Sequence, residues 1–201
     1  MRLLGNLAGV FATLGAVALL ALVLSLWRTS SGLPNYEHLA NYTPPVMSRV
    51  HAGDGSLIAE YAQERRLFVP IDVVPEHVIN AFLAAEDKNF YNHIGIDLIG
   101  IARAVFQNVL NVASGKRLEG ASTITQQVAK NFLLSSDVTL ERKLKEAVLA
   151  LRLERTFNKR QLLELYLNEI YLGLGSYGVA AAALNYFDKP LSELSLEEAA
   201  Y

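Results

Sequence analysis

The sequence predicts a mainly helical domain, tethered by an N-terminal membrane helix, with a small β element between the two. Three observations carry that prediction. Leu3 to Trp27 is one uncharged, largely apolar run, residues 46–69 alternate around a Gly-Asp-Gly turn, and beyond Pro70 the apolar residues recur with a helical period.

The uncharged run comes first. A membrane-crossing helix needs about 20 apolar residues, so this run is long enough. Trp27 and Arg28 at its end suit an interfacial anchor. The rival is a cleaved signal peptide, whose apolar core would span roughly 7 to 15 residues before a small-x-small site. This run is longer, and LWRTSSG offers no good site. Residues 1–28 are therefore assigned to a short tip and a transmembrane anchor. Arg2 lies on one side and Arg28 on the other, so charge alone leaves the orientation open.

Residues 29–70 form the second segment. TSSGLPNYEHLANYTPP (29–45) is rich in Ser, Pro and Asn and reads as a linker. VMSRVHA and SLIAEYA flank GDG in a hairpin pattern, with Asp54-Gly55 as the turn. RRLFVPI could add a third short strand.

Residues 71–201 are the helical domain. Pro75 suits a helix start, and Val78, Ile79, Phe82 and Leu83 give one apolar face ending near Glu86-Asp87. Asp97 suits the N-cap of a second helix, with Leu98, Ile101, Ala102, Val105, Phe106 and Val109 as its buried stripe. VASGKRLEGAS (112–122) is a loop, and a third helix opens at Ser122-Thr123. A fourth runs from Thr139 to Phe157 with Leu140, Leu144, Val148 and Leu151 buried. A fifth spans 159–172 and closes at Gly173, and a sixth covers Gly178 to Phe187. Ser195-x-x-Glu198 is a capping box for one more. A terminal helix of about seven residues with nothing to pack on is marginal, so a longer parent protein is expected.

Composition narrows the chemistry. Net charge is −2, yet residues 103–160 hold eleven Lys/Arg against five acids, an excess that suits an anionic ligand. No internal repeat, Walker loop, HExxH or GxSxG is present. Four histidines without paired spacing and no cysteine argue against a protein-ligated zinc site.

Three stretches could carry a reaction. In AAEDKNFYNH (84–93), Glu86 and Asp87 lie at a helix C-terminus, where negative charge is disfavoured. Mutual repulsion and burial against Phe90 would raise a carboxylate pKa further, which suits a general base. The plainer alternative has Asp87 capping the next turn, Glu86 in water and His93 simply packed. In GASTITQQVAKN (120–131), a glycine and hydroxyl cluster precede a helix start, where free N–H groups favour an anion. Thr123, Gln126, Gln127 and Lys130 follow, with Lys116 and Arg117 just upstream; an ordinary N-cap with a polar face is the alternative. In LERKLKEAVLALRLE (140–154), Arg142 and Lys143 are spaced to reach Glu146. That is either surface ion pairing or a second carboxylate held beside a polyanionic substrate. Paired carboxylates are the usual equipment for glycosidic-bond chemistry.

Five stretches in order then match one family. EDKNFYNHIG (86–95), GASTITQQVAKN (120–131), RKLKEAVLALRLE (142–154), LLELYLNEIYLGLGSYG (162–178) and ALNYFDKPLSELSLEEAA (183–200) resemble the five motifs of the family 51 glycosyltransferases, the peptidoglycan polymerases. With the anchor and GDGSLIAEYAQERR before them, the arrangement resembles the N-terminal part of a class A penicillin-binding protein.

The resemblance implies a lysozyme-like helical fold and polymerisation of lipid II on the outer, periplasmic face of a bacterial inner membrane, with residues 1–28 as cytoplasmic tip and single-pass anchor. The growing glycan chain would be donor, and its lipid diphosphate would leave with inversion to a β-1,4 linkage. By motif position, Glu86 would be the general base, and Glu146 would assist departure of the diphosphate. Ser122, Gln127, Lys130, Arg142 and Lys143 would line the diphosphate and sugar sites, with Lys116 and Arg117 in a mobile loop. Asp87, Phe90, His93, Thr123, Gln126, Asn168 and Tyr171 would shape the cleft. No cofactor is required, although Mg or Mn near Glu146 could assist. Cell-wall synthesis proteins are the expected partners and nucleic acid is not. The family's domain runs past the fifth motif, and class A members add a transpeptidase domain. A lytic, lysozyme-like enzyme using Glu86 as acid and a non-catalytic membrane scaffold are the rival readings.

Overall fold

The computed structural model of the chain describes residues 13, 17, 33–37, 39, 42, 48–61, 65–118, 120–134 and 139–201. Apart from Thr13 and Val17, the anchor over Leu3–Trp27 lies outside the described residues, as does much of the 29–45 linker. Among the described residues no helix is long and apolar enough to cross a membrane.

Those residues form strands β1 (Ser48–His51), β2 (Leu57–Tyr61) and β3 (Arg65–Arg66), then helices α1 (Glu76–Glu86), α2 (Leu98–Ala113), α3 (Ile124–Leu133), α4 (Leu140–Thr156) and α5 (Lys159–Glu169). Strand β4 (Ser176–Tyr177) and helices α6 (Val179–Phe187) and α7 (Leu196–Ala200) complete the order. The fold is mainly helical, as the periodicity predicts. Helix α3 is the central element and packs on both α4 and α5, while α1 packs on α7. Ile124, Val128, Leu149, Leu153, Leu162 and Leu167 are buried where these helices meet.

The caps at Asp97, Thr123 and Ser195 fall where the sequence puts them, and Asn158 adds one more. The Asp97 carboxylate accepts from Gly100 N–H, 2.9 Å, at the start of α2. Thr123, Asn158 and Ser195 each open a helix through a reciprocal capping box. β1 and β2 pair antiparallel as the hairpin pattern requires. The turn sits one residue earlier than expected. Gly55 N–H donates to Ala52 O at 2.9 Å, so Gly53 and Asp54 are central and Gly55 follows at φ 86°. The two Ser56 hydrogen bonds to its carboxylate lower the Asp54 pKa.

RRLFVPI does not extend the hairpin. Only Arg65–Arg66 is a strand, and it pairs parallel with β4. Arg66 makes an ion pair with Glu169 and places its guanidinium 4.4 Å from the Tyr177 ring centroid. The incoming chain is gripped by α5 at further points. Leu39 is buried in the core, and the Tyr42 hydroxyl donates to Glu169 at 3.1 Å. The Asn168 side-chain amide accepts from Val69 N–H, 2.8 Å, and donates to Val69 O, 2.9 Å. Leu39, Tyr42, Arg66 and Val69 thus tie segment 29–70 to the helical body.

Two buried faces differ from the periodic expectation. On α2 the stripe Leu98, Val105, Phe106 and Val109 is 60–74% exposed, and the protein side is Gly100, Ala104 and Asn111. Ala102 is exposed and Ile101 half-buried. Periodicity reports that an apolar face exists, not what covers it. On α4 the inward face is Glu146, Leu149, Ala150 and Leu153, while Leu140 is 79% exposed and Leu144, Val148 and Leu151 are half-buried. The inward face lies about two residues round the helix, nearly opposite the expected stripe, and carries a carboxylate inwards. Arg142 and Lys143 make that tolerable by neutralising it. Helix α5 ends at Glu169, three residues early, because Gly178 N–H takes the Ile170 carbonyl at 2.8 Å. Gly178 has φ 81°, and a Cβ there would meet Asn168 O at 2.7 Å.

Asn168→Ala strips both Val69 backbone partners at once. It should cost about 1–3 kcal/mol, the range for polar groups left unsatisfied in a part-buried site. A urea unfolding midpoint unchanged from the parent would show that the clamp adds nothing.

Candidate active site

Glu86 is the last residue of α1, exposed, with its carboxylate accepting from the Gln127 amide of α3 at 2.8 Å. It is not buried, contrary to the burial against Phe90 expected from sequence. Phe90 is wholly buried beneath the loop, so burial falls on Asp87 instead. Burial first, and then the nearby Glu86 charge, push up the pKa of the Tyr166 phenol.

Asp87 joins two helix ends. One of its oxygens accepts from Ile124 N–H at 3.0 Å, at the first residue of α3, and both take His93 Nε2 at 3.0 Å. Gly95 N–H donates to His93 Nδ1 at 3.1 Å, so Nδ1 is the acceptor and the ring proton sits on Nε2. Thr123 Oγ1 donates to Gly95 O at 2.6 Å, closing the loop onto α3.

This alters the expected anion site. Two N–H groups at the start of α3 are already used, Ile124 on Asp87 and Gln126 on the Thr123 hydroxyl. Asp87 is the anion at that helix N-terminus. Gln126 is likewise spent on the capping box, its side-chain carbonyl accepting from Thr123 N–H at 2.9 Å. For Thr123 and Gln126 the plain capping alternative holds, whereas Gln127 reaches Glu86.

Cationic side chains remain to meet an external anion. Glu146 is 1% exposed, and Arg142 and Lys143 each take one of its oxygens. Lys143 also donates to the Ser122 hydroxyl at 2.9 Å. Arg142 Nε is the one buried side-chain polar atom left without a partner among the described residues. Lys130, Lys116 and Arg117 are exposed, the first in the last turn of α3, the others after α2. The loop holding the latter two is pinned by buried Asn111, whose amide donates to Arg117 O at 3.1 Å.

Glu86 and Ser122 line one cavity of about 480 Å³, together with Asp87 and Thr123, a size suited to a small-molecule site. Sequence reasoning missed other members of its wall, Lys88, Asp97 and Arg103. Arg103 did leave a signal as the single charge in the otherwise uncharged run LIGIARAVFQNVLNVA of α2. Asp97 was read only as a cap, and the Gly100 and Asn89 hydrogen bonds lower its pKa. Lys116, Arg117, Gln127, Lys130, Arg142, Lys143 and Glu146 do not line this cavity, nor do Asn168 and Tyr171. Asn168 is the clamp on Val69, and Tyr171 stands 56% exposed beside the Tyr177 ring, 5.0 Å between centroids.

A divalent cation fits poorly at Glu146. Both carboxylate oxygens are engaged by cations, and no group of three or more His, Asp or Glu suited to a metal occurs among the described residues.

Comparison with known proteins agrees with the motifs. The transglycosylase family model matches residues 54–201. The chain is 53% identical over 192 residues to "Penicillin-binding protein 1A" of Rickettsia felis, covering 96% of this chain and 24% of the relative. To the protein of that name in Aquifex aeolicus it is 50% identical over 184 residues, 92% of this chain and 24% of the relative. To that of Haemophilus influenzae it is 52% identical over 165 residues, 82% and 19%. The chain thus spans about a quarter of the length of the first curated relatives it matches. The family match runs from the hairpin turn to the last residue and takes in every site residue described above: the chain belongs to the transglycosylase family, the peptidoglycan glycosyltransferases.

Proposed function

We propose that the domain polymerises lipid II, with the growing glycan chain as donor and the 4-hydroxyl of the incoming lipid-linked sugar as acceptor. The observation that carries this reading is the contrast between the two carboxylates. Glu86 is exposed in the cavity with a neutral amide as its described partner, while Glu146 is buried under two cations. The first can accept a proton, and the second cannot easily reach a substrate.

In the proposed step Glu86 takes the hydroxyl proton as the oxygen attacks the anomeric carbon. The bond from that carbon to the diphosphate breaks, and the lipid diphosphate leaves with the electron pair. Attack opposite the leaving group inverts the centre to a β-1,4 linkage. A general base needs an approach of about 2.6–3.2 Å to the hydroxyl in the complex. Diphosphate is already a good leaving group, so cations that stabilise its developing charge can supply much of the effect. Glu146 then acts by holding Arg142 and Lys143 in place, and the unpartnered Arg142 Nε is a donor available to an anion. Lys130, Gln127, Ser122, Lys116 and Arg117 belong to the same anion-facing set. A lytic enzyme using Glu86 as acid would have no need of this cation cluster.

The exposed apolar face of α2, on the helix that supplies Arg103 to the cavity wall, supports a lipid-facing side next to the site. Localisation at the outer face of a bacterial inner membrane, held by residues 1–28, is part of the same proposal. So is a transpeptidase domain in the longer protein, since the relatives are called penicillin-binding proteins and this chain covers only 24% and 19% of two of them. Other cell-wall synthesis proteins would be its partners.

Glu86→Gln should lower glycan formation from labelled lipid II by about a hundredfold or more, with the unfolding midpoint unchanged; abundant polymer would remove Glu86 as base. Lys130→Ala should weaken binding of a lipid diphosphate analogue about tenfold, measured by fluorescence titration, and an unaltered Kd would take Lys130 out of the site. The chain has no cysteine, so Phe106→Cys can carry a polarity-sensitive dye. Its emission should shift to the blue when the protein is reconstituted into phospholipid vesicles, whereas the same dye at Asp72→Cys should not shift.

A further inference from the structure

One face of α4 carries Glu146, Ala150 and Glu154, four residues apart in turn. Glu146 belongs to the candidate site. The other two grip the loop that follows Glu86. Gly95, at φ 95°, lies so close that a Cβ would stand 2.7 Å from Ala150 O and 3.1 Å from Glu154 Cγ. The loop backbone therefore sits about one helical turn from Glu146 along α4, roughly 6 Å of rise.

The contact is fastened by charge. Glu154 Oε1 accepts from the Thr125 hydroxyl of α3 at 2.6 Å and from the Lys159 ammonium at 2.7 Å. Lys159 Nζ stands 4.4 Å from the centroid of the buried Phe90 ring. The Glu154 side chain is 8% exposed and that of Lys159 20%. A cation over an aromatic face is attracted more strongly when little water competes, and here the same cation is held by a carboxylate on its other side. Phe90 meets His93 edge-on, 6.2 Å between centroids, and His93 holds Asp87, the neighbour of Glu86. A continuous chain of contacts thus links Glu154 on α4 to the base of the loop.

We propose that Glu154 and Lys159 are positioning residues, which fix the Glu86 loop at one height on the helix that carries Glu146 and so set the separation of the two carboxylates. The inference rests on the functional reading above, in which both carboxylates serve one reaction. The loop has a second attachment, to α3, through Asp87–Ile124 and Thr123–Gly95. Losing the Lys159 contact therefore loosens the loop without detaching it. A misplacement of about 1 Å can cost a hundredfold in rate, so the effect should appear in turnover before it appears in folding.

The test uses the full-length protein with Lys159→Met, the double variant E154Q/K159M and Lys159→Arg. The double variant removes both charges together and leaves no buried ion unpaired, which keeps it folded if Lys159→Met alone is not. Steady-state kinetics on lipid II are read beside hydrogen exchange of the peptide covering residues 87–96. The charge-removing variants should lower kcat about tenfold or more with KM within about twofold, and speed exchange in 87–96 but not in α5. Lys159→Arg, which keeps the cation over the ring, should restore kcat to within about threefold. Parental kcat and loop exchange in the double variant would overturn the inference, as would a loss of activity that only tracks the folded fraction. If the parent protein itself makes no glycan from lipid II, the functional reading falls, and exchange in 87–96 still decides whether Lys159 holds the loop.

Discussion

The hydrogen bond from Ile124 N–H to the Asp87 carboxylate is the joint on which the site depends. It ties the C-terminal end of α1 to the N-terminal end of α3. A carboxylate at the end of its own helix is poorly placed, yet the same group at the start of another is well placed. Asp87 therefore finds at α3 the favourable field that α1 denies it. Its neighbour Glu86 is left at the junction and turned towards the cavity. Gln127 meets Glu86 from α3, and Ser122 is set by the same helix start.

From that joint the second half of the site follows. Helix α3 packs on α4, and Ser122 receives Lys143 from across the gap. Lys143 and Arg142 surround Glu146, whose burial would be costly without them. The cation cluster is thus a product of packing as much as of composition. With α4 turned to the face nearly opposite its expected stripe, a carboxylate lies in the core, and two neighbours on the same helix offset its charge.

Local signals were legible in the sequence and non-local ones were not. Asp97, Thr123 and Ser195 were readable as caps because a cap is decided within four residues. The five motifs named the candidate residues through resemblance, including Glu86 and Glu146. Composition could not say that Gln126 would be spent in a cap while Gln127 reached Glu86. Asp87 was read as shaping a turn, and its bond to Ile124 spans 37 positions. Asn168 lies in a motif, but its work is to hold Val69, 99 residues away. The α2 stripe was read correctly as apolar and wrongly as buried, since the period of a helix does not say what covers its apolar face.

Under the proposed function, the enclosure of Glu146 would also bear on how a cycle ends. Arg142, Lys143 and Glu146 together carry one net positive charge, not two. Two unopposed cations would hold a spent diphosphate tightly and slow its exit. With Glu146 already between them, a departing diphosphate would meet a competitor on the protein. As it left, both cations would keep the partner they already have, and no bare charge would be exposed to water.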